Sequence, residues 1–363
     1  MPNKRTLASA ATLLTFGTFW LAVPEVSCAD TLVVANKSDA TVSLVNLLNG
    51  EVAATVPTGK GPHEVAVSFD GTTAVVTDYG TREEPGSTLT VIDIREAKRT
   101  KTIELGEYQH PHGIVFRDRD SVLVTAEANK ALIQVDLETG EIEHVFETGE
   151  DISHMLALAE TSDGQRVYAW VANIGSGSVT VFDLQKGEHV TNLATGEGAE
   201  GIAAARGRVW VTNRAADTLT VFDVDTRDRL AELKCEGFPI RAEATPNGDH
   251  VVVSRARAGN LAVYELDDPS VPPRIIELGV ELKDTEDRLF GDRFGDSSVP
   301  IGIEIHSDRI WVAHANADVV SEHDLPTGER LRILRPGREP DGMAYSDVAV
   351  RSTEPVLDDG RGR

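Results

Sequence analysis

The sequence predicts an all-β fold, a closed ring of seven four-stranded antiparallel sheets, on three observations. First, aligned against itself, the chain repeats one unit, cleanest as VWVTNRAADTLTVFDVDT (209–226), VYAWVANIGSGSVTVFDLQKG (167–187) and VLVTAEANKALIQVDLETG (122–140). Each copy is an alternating apolar strand, a short polar turn, a second alternating strand ending in Asp and a further turn. Period-two alternation bounded by Gly, Asn and Asp marks consecutive antiparallel strands. Second, weaker copies at 74–94, 251–266 and 310–328 carry the unit along the chain, at a spacing close to the roughly 40–50 residues of ring-forming repeats. Third, the copy at 32–50 has no strand before it, while the chain ends on PDGMAYSDVAV (340–350), which matches the missing one. The N- and C-terminal strands then share one blade and close the ring, which removes the exposed edges of an open array. Helical periodicity is convincing nowhere, so the architecture expected is a seven-bladed β-propeller.

Taken in order, residues 1–29 read as an export signal. Lys4 and Arg5 form its charged start, Leu7 to Val23 its apolar middle, and Ser27-Cys28-Ala29 offers small residues for cleavage before Asp30. An uncleaved anchor helix and lipidation at Cys28 are the competing readings, and Glu25 counts against the second, because lipoprotein signals prefer a branched apolar residue there. No later segment approaches the roughly 18–20 apolar residues that span a bilayer. The mature protein is therefore expected to be soluble and periplasmic or secreted, with the propeller over 30–350 and a disordered tail over 351–363. Cleavage removes Lys4, Arg5 and Glu25 and takes the net charge from −24 to −25. Nucleic-acid binding through a basic face and attraction to anionic lipid are not expected from that balance, because both rely on a local excess of Lys and Arg. Cys235 is the one cysteine left, so no intramolecular disulfide forms and ordinary core burial must hold the chain.

The segments VWVTNRAADTLTVFD, LVVANKSDATVSLV and WVANIGSGSVTVFD resemble the YVTN-type β-propeller repeat, and the resemblance covers nearly all of residues 30–350. It implies the fold. For function it is broad, since similar rings include lactonases, virginiamycin B lyase, redox-enzyme subunits and proteins that only bind partners.

In such a blade the innermost strand begins at the central channel on one face, and the second strand returns to that face. Residues just before the first strand are, blade by blade, His63, His112, His154, Glu200, Arg241, Ile301 and Asp341. Those at the end of the second are Asn36, Asp78, Glu127, Asn173, Asn213, Arg255 and His314. His63 and His112 are 49 residues apart and His112 and His154 are 42 apart, yet each interval is one blade. Three imidazoles on successive blades, with Glu127 or Glu200 nearby, suit a divalent ion such as zinc, copper, iron or manganese. Arg241 and Arg255, with Asp78 and Asp341 near them, are expected to hold a small anionic or carbonyl-bearing ligand. The asparagines belong to the repeat and serve its turns; His110 reads as a turn or supporting residue.

The interval from Arg241 to Ile301 is 60 residues, and its excess, 280–299, reads either as a lid or as a solvated surface loop. Two functions stay open. One is a metal-dependent lyase or hydrolase in which His63, His112, His154 or His314 moves a proton. The other is a non-catalytic module that binds a metal, a small anion or a protein partner with the same rim. No nucleophile elbow, phosphate loop, HExxH helix or CxxCH haem site is present.

Overall fold

A computed structural model describes residues 30–282, 288 and 290–351; the expected export signal and nearly all of the expected tail lie outside the described residues. The chain forms seven four-stranded antiparallel sheets arranged as a ring. Among the described residues the only helical pieces are two single 3-10 turns, Lys37–Asp39 and Glu127–Asn129, and no helix is long and apolar enough to cross a membrane.

Blade 1 pairs the C-terminal strand Pro340–Ser346 with Thr31–Asn36, followed by Thr41–Asn46 and Val52–Pro57. Leu32 stands opposite Tyr345 and Val34 opposite Met343. Tyr345 Oη donates to Asp30 Oδ2 at 2.6 Å and Thr31 Oγ1 to the Val348 carbonyl at 2.7 Å, which pins the closure. Blades 2 to 7 follow in chain order, with inner strands Pro62–Val67, Pro111–Phe116, Ser153–Glu160, Ala199–Ala205, Pro239–Ala244 and Pro300–His306. The alternating pattern aims one set of side chains into each gap between blades. Trp170, for example, packs with Val179, Val181, Ile202, Val211 and Phe222 between blades 4 and 5, where each buried aliphatic or Phe side chain contributes about 1.5–3 kcal/mol.

Three devices recur at the channel mouth. Before every inner strand stands a residue in the left-handed region: Glu339 (φ 49°), Gly61 (57°), His110 (53°), Ile152 (58°), Gly198 (77°), Phe238 (64°) and Val299 (57°). Its carbonyl accepts the N–H of the residue that leaves the second strand, as in Lys37 to Glu339, Tyr79 to Gly61, Glu127 to His110 and Arg214 to Gly198, at 2.9–3.2 Å. For a residue with a Cβ this conformation costs about 1–2 kcal/mol, and Ile152 and Val299 are β-branched, where it is rarest. This is the setting of His110.

Each inner strand then opens with a β-bulge. The register steps between Pro62 and Val65, Pro111 and Ile114, and Ser153 and Leu156, and likewise around the ring. A bulge sets two residues against one and re-aims their side chains. Finally, hydroxyls on second strands stitch blade to blade. Thr77 Oγ1 accepts the Glu64 N–H (3.0 Å) and donates to the His112 carbonyl (2.9 Å); Thr125 does the same for Gly113 (2.8 Å) and the His154 carbonyl (2.5 Å). Glycine is required at 113, where a Cβ would meet the His154 carbonyl at 2.7 Å.

Candidate metal and ligand site

The entry turn and bulge deliver His63, His112, His154, Glu200 and Asp341 to the channel mouth at one repeat position, all at least nine-tenths buried. Arg241 arrives there too, one residue later than the repeat position. Ile240 follows Pro239 as His63 follows Pro62, and Arg241 is the counterpart of Glu64, since its N–H bonds Ser254 Oγ as the Glu64 N–H bonds Thr77 Oγ1.

The second expected ring needs a similar correction. Asn36, Asp78, Asn173, Asn213, Arg255 and His314 are true counterparts, paired with Thr41, Thr88, Ser178, Thr218, Asn260 and Val319. They serve the blades. Asn173 Nδ2 donates to Ser178 and Thr180, and Asp78 takes the inverse pattern, accepting from Thr88 (2.7 Å), Thr90 (2.9 Å) and the Gly59 N–H (2.9 Å). Burial raises Asp78 to about 6 despite those hydroxyls. His314 is fully buried with both ring nitrogens 2.8 Å from hydroxyls, Ser298 and Ser321, and burial pushes it down to about 3, which removes it from proton transfer at the channel. Arg255 is spent on Asn260 Oδ1 (2.9 Å) and the Glu236 carbonyl (3.2 Å). Asp78, Arg255 and His314 are therefore structural residues.

Glu127 does reach the mouth, because it stands one residue past the equivalent Ala126, which pairs with Ala131. The residues at that next step, Lys37, Tyr79 and Arg214, reach it as well. Sequence reasoning missed these three and Glu64. The available signal was strand parity, because neighbours along a strand face opposite ways.

The assembled groups form one chain of contacts. Tyr79 Oη donates to Glu127 Oε2 at 2.6 Å, and Glu127 Oε1 holds His154 Nδ1. His154 Nε2 lies 3.4 Å from Glu200 Oε1, and Arg214 Nη1 2.5 Å from Glu200 Oε2. Arg241 is enclosed by Glu64 (2.5 Å), Glu200 (3.4 Å) and Asp341 (3.8 Å). Its fork is therefore taken by protein carboxylates, which corrects its expected role as a ligand clamp. Asp341 approaches Lys37 (3.7 Å) and His63 (3.8 Å), and Lys37 Nζ lies 2.8 Å from His63 Nε2. Tyr79 stacks on His63 at 4.5 Å.

Electrostatics separates the three imidazoles. Burial, then Lys37 and Arg241, hold His63 well below its ordinary value, and burial, then His154 and His63, do the same to His112. For His154 burial also pulls down, but Glu127 and Glu200 outweigh it and its affinity for a proton is raised. Glu200 is lowered, because His154, Arg214 and Arg241 outweigh its burial. Lys37 is lowered by burial, which Asp341 and Glu339 only partly offset.

Among the described residues one set of groups could hold a metal ion. His112, His154 and Glu127 each offer a ligand atom, and the three atoms lie within 4.8 Å of one another. His112 Nδ1 is buried with no hydrogen-bond partner among the described residues, which is an unmet demand for a cation or donor. His63 lies edge-on to His112 at 4.6 Å but stands outside this set, with its Nε2 turned to Lys37. Glu200 stands outside it too, tied to two arginines. The expected set of His63, His112 and His154 is thus corrected to His112, His154 and Glu127.

A cleft of about 1410 Å³ opens beside the cluster, lined by Tyr79, His110, the cations Lys37, Lys60, Arg82 and Arg288 and the carboxylates Glu83, Glu84 and Glu339. Across the mouth the expected insertion packs down. Phe294 and Val299 bury against Phe238, Ile240, Ala256, Ile301 and Ala315. Asn316 Nδ2 bonds the Gly291 carbonyl at 2.9 Å, and Arg288 pairs with Asp318. From Phe290 to Val299 the segment is therefore a packed cap on blades 6 and 7.

No family model and no curated protein matches the chain, so the YVTN resemblance has no family match behind it. Among solved structures, the crystal structure of a functionally unknown protein from Desulfotomaculum acetoxidans DSM 771 aligns with TM-score 0.69 at 11% identity, covering 88% of this chain and 99% of that one. That likeness shows the seven-bladed β-propeller fold and nothing of its chemistry.

Proposed function

We propose that this is an exported β-propeller that binds a divalent metal ion through His112, His154 and Glu127 and presents it to a small anionic or carbonyl-bearing ligand entering by the cleft at Lys37 and Tyr79. The observation that carries the reading is that a ligand atom from each of the three residues lies within 4.8 Å of the others, and that His112 Nδ1 is buried without a partner among the described residues. Export rests on the character of residues 1–29. When bound, the metal would polarise a ligand oxygen. The chain supplies the rest. Tyr79 orients Glu127, Thr77 and Thr125 fix the backbone of the two histidines, and the buried walls exclude water. The use of the site in lyase or hydrolase chemistry is favoured by one contact, Lys37 Nζ against His63 Nε2 at 2.8 Å. Burial, and then Lys37, hold His63 neutral, and the contact leaves the Lys37 ammonium as a proton donor where it lines the cleft.

The test is metal analysis of protein recovered from the periplasm, followed by calorimetric titration of the stripped protein with zinc and manganese. His112→Ala and Glu127→Gln are expected to lower affinity by about 10-fold to 100-fold, while His63→Ala leaves it within about threefold. Equal loss in all three variants, or none in the first two, would sink the assignment. A panel of lactones and esters, with and without chelator, then separates catalysis from binding.

A further inference from the structure

On the rim between blade 5 and the cap, three arginines gather around one phenylalanine. The guanidinium carbons of Arg214, Arg257 and Arg293 lie 5.6, 5.3 and 5.2 Å from the Phe238 ring centre, and the last two are also 5.7 and 5.2 Å from that of Phe294. The two rings are themselves 4.8 Å apart and buried. Three guanidiniums this close repel one another unless carboxylates or a bound anion answer them. Two carboxylates face them. Glu200 takes Arg214, and Asp217 lies 3.5 Å from Arg257 while its other oxygen accepts the Phe238 N–H at 2.7 Å. Arg293 has no ion pair among the described residues. Among the described residues the ion pairs set two carboxylates against three guanidiniums, and one of the two, Glu200, is shared with Arg241.

A guanidinium stacked on a ring uses its face and leaves its in-plane N–H groups free, and those edges match the oxygens of a tetrahedral oxyanion. Arg257 and Arg293 are exposed, with their edges reachable from solvent. We propose that Arg214, Arg257 and Arg293 form an oxyanion subsite for a phosphate or sulfate group, held on the Phe238–Phe294 platform. The subsite stands on side chains outside the metal set and needs no metal to bind. Arg214 joins it to that set through Glu200 and His154, so a ligand anchored here lies beside the same channel mouth.

The experiment is calorimetric titration of the metal-stripped full chain with inorganic phosphate, sulfate and acetate at low salt. Phosphate and sulfate are expected to bind, acetate about tenfold more weakly for want of a third oxygen, and raised salt to weaken all three. Arg257→Gln/Arg293→Gln is expected to cost at least about tenfold in phosphate affinity with the zinc titration unchanged. Arg293→Gln alone, at the exposed position, gives a partial loss in a chain certain to stay folded. Phenyl phosphate tighter than inorganic phosphate would point to an esterified ligand, and the reverse to the free ion. The proposal is overturned if phosphate fails to bind, if the double variant binds it normally, or if acetate binds as well. It is overturned in another way if His112→Ala abolishes phosphate binding while the arginine variant does not, since the anion would then belong to the metal site.

Discussion

The position after the entry turn holds Asp341, His63, His112, His154 and Glu200 on blades 1 to 5, and Ile240 and Ile301 on blades 6 and 7. The residue leaving the second strand follows nearly the same division, with Lys37, Tyr79, Glu127 and Arg214 on one side and Ala256 and Ala315 on the other, and Ile174 of blade 4 as the exception. Backbone turns, bulges and hydrogen bonds are shared by all seven. The ring therefore sets where side chains arrive, and residue choice alone makes one arc a charged, half-open site and the other an apolar seat covered by Phe294. The cap closes the apolar arc, which leaves the cleft at Lys37 as the approach to the polar one.

The largest effect is expected where the two arcs touch. Arg241→Ala strands Glu64, Glu200 and Asp341 as buried carboxylates and should lower stability by about 3–5 kcal/mol in urea unfolding. Arg241→Lys recovers part of this, whereas its neighbour Ile240→Val costs about 1 kcal/mol. If Arg241→Ala unfolds like the parent, the polar arc is not a mutually dependent network. Phe294→Ala should cost about 3 kcal/mol by emptying the cap and leave zinc affinity unchanged; a coupled loss of zinc would show that the arcs are not independent. The last effect is absent near neutral pH and grows only in acid: it concerns His314, whose folded value is about 3 against about 6.5 unfolded. A lowered folded value means the unfolded chain gains the proton first, so stability is lost as pH falls from about 6.5 toward 3, by at most about 1.4 kcal/mol per unit. His154, raised by its carboxylates, works in the opposite sense and loses its contribution as pH rises through its folded value. His314→Asn restores the residue found at 36, 173 and 213 and should flatten the acid limb of the stability profile without touching metal binding. An unchanged acid limb would place the titration on other groups.

The fold was legible because strand alternation and turn residues are local signals that recur. Closure was legible because Thr31–Asn36 lacked a partner and Pro340–Ser346 was spare. The histidines could be placed because each stands at the start of an apolar strand, just after a turn. Asp78, Arg255 and His314 were misplaced because a strand end read one residue short changes face, and here it separates a channel position from a blade-interior one. Arg241 was placed one residue early because a bulge has no composition of its own. The cap showed as excess length, but its packing depends on Phe238 and Ile301, which sequence distance conceals.

Closure through Pro340–Ser346 also has a consequence in time. The first strand, Thr31–Asn36, cannot acquire its inner neighbour until almost the whole chain exists, 304 residues separating Asn36 from Pro340. Until then the gap between blades 7 and 1 stays open, with Leu32, Val34, Val45 and Leu47 waiting in water. Pairing over such a separation is slow. The nascent molecule is thus a nearly finished arc with two adhesive ends, in need of a holding partner or a fast finish, and a stop codon anywhere before 340 forfeits the first blade together with the last residues.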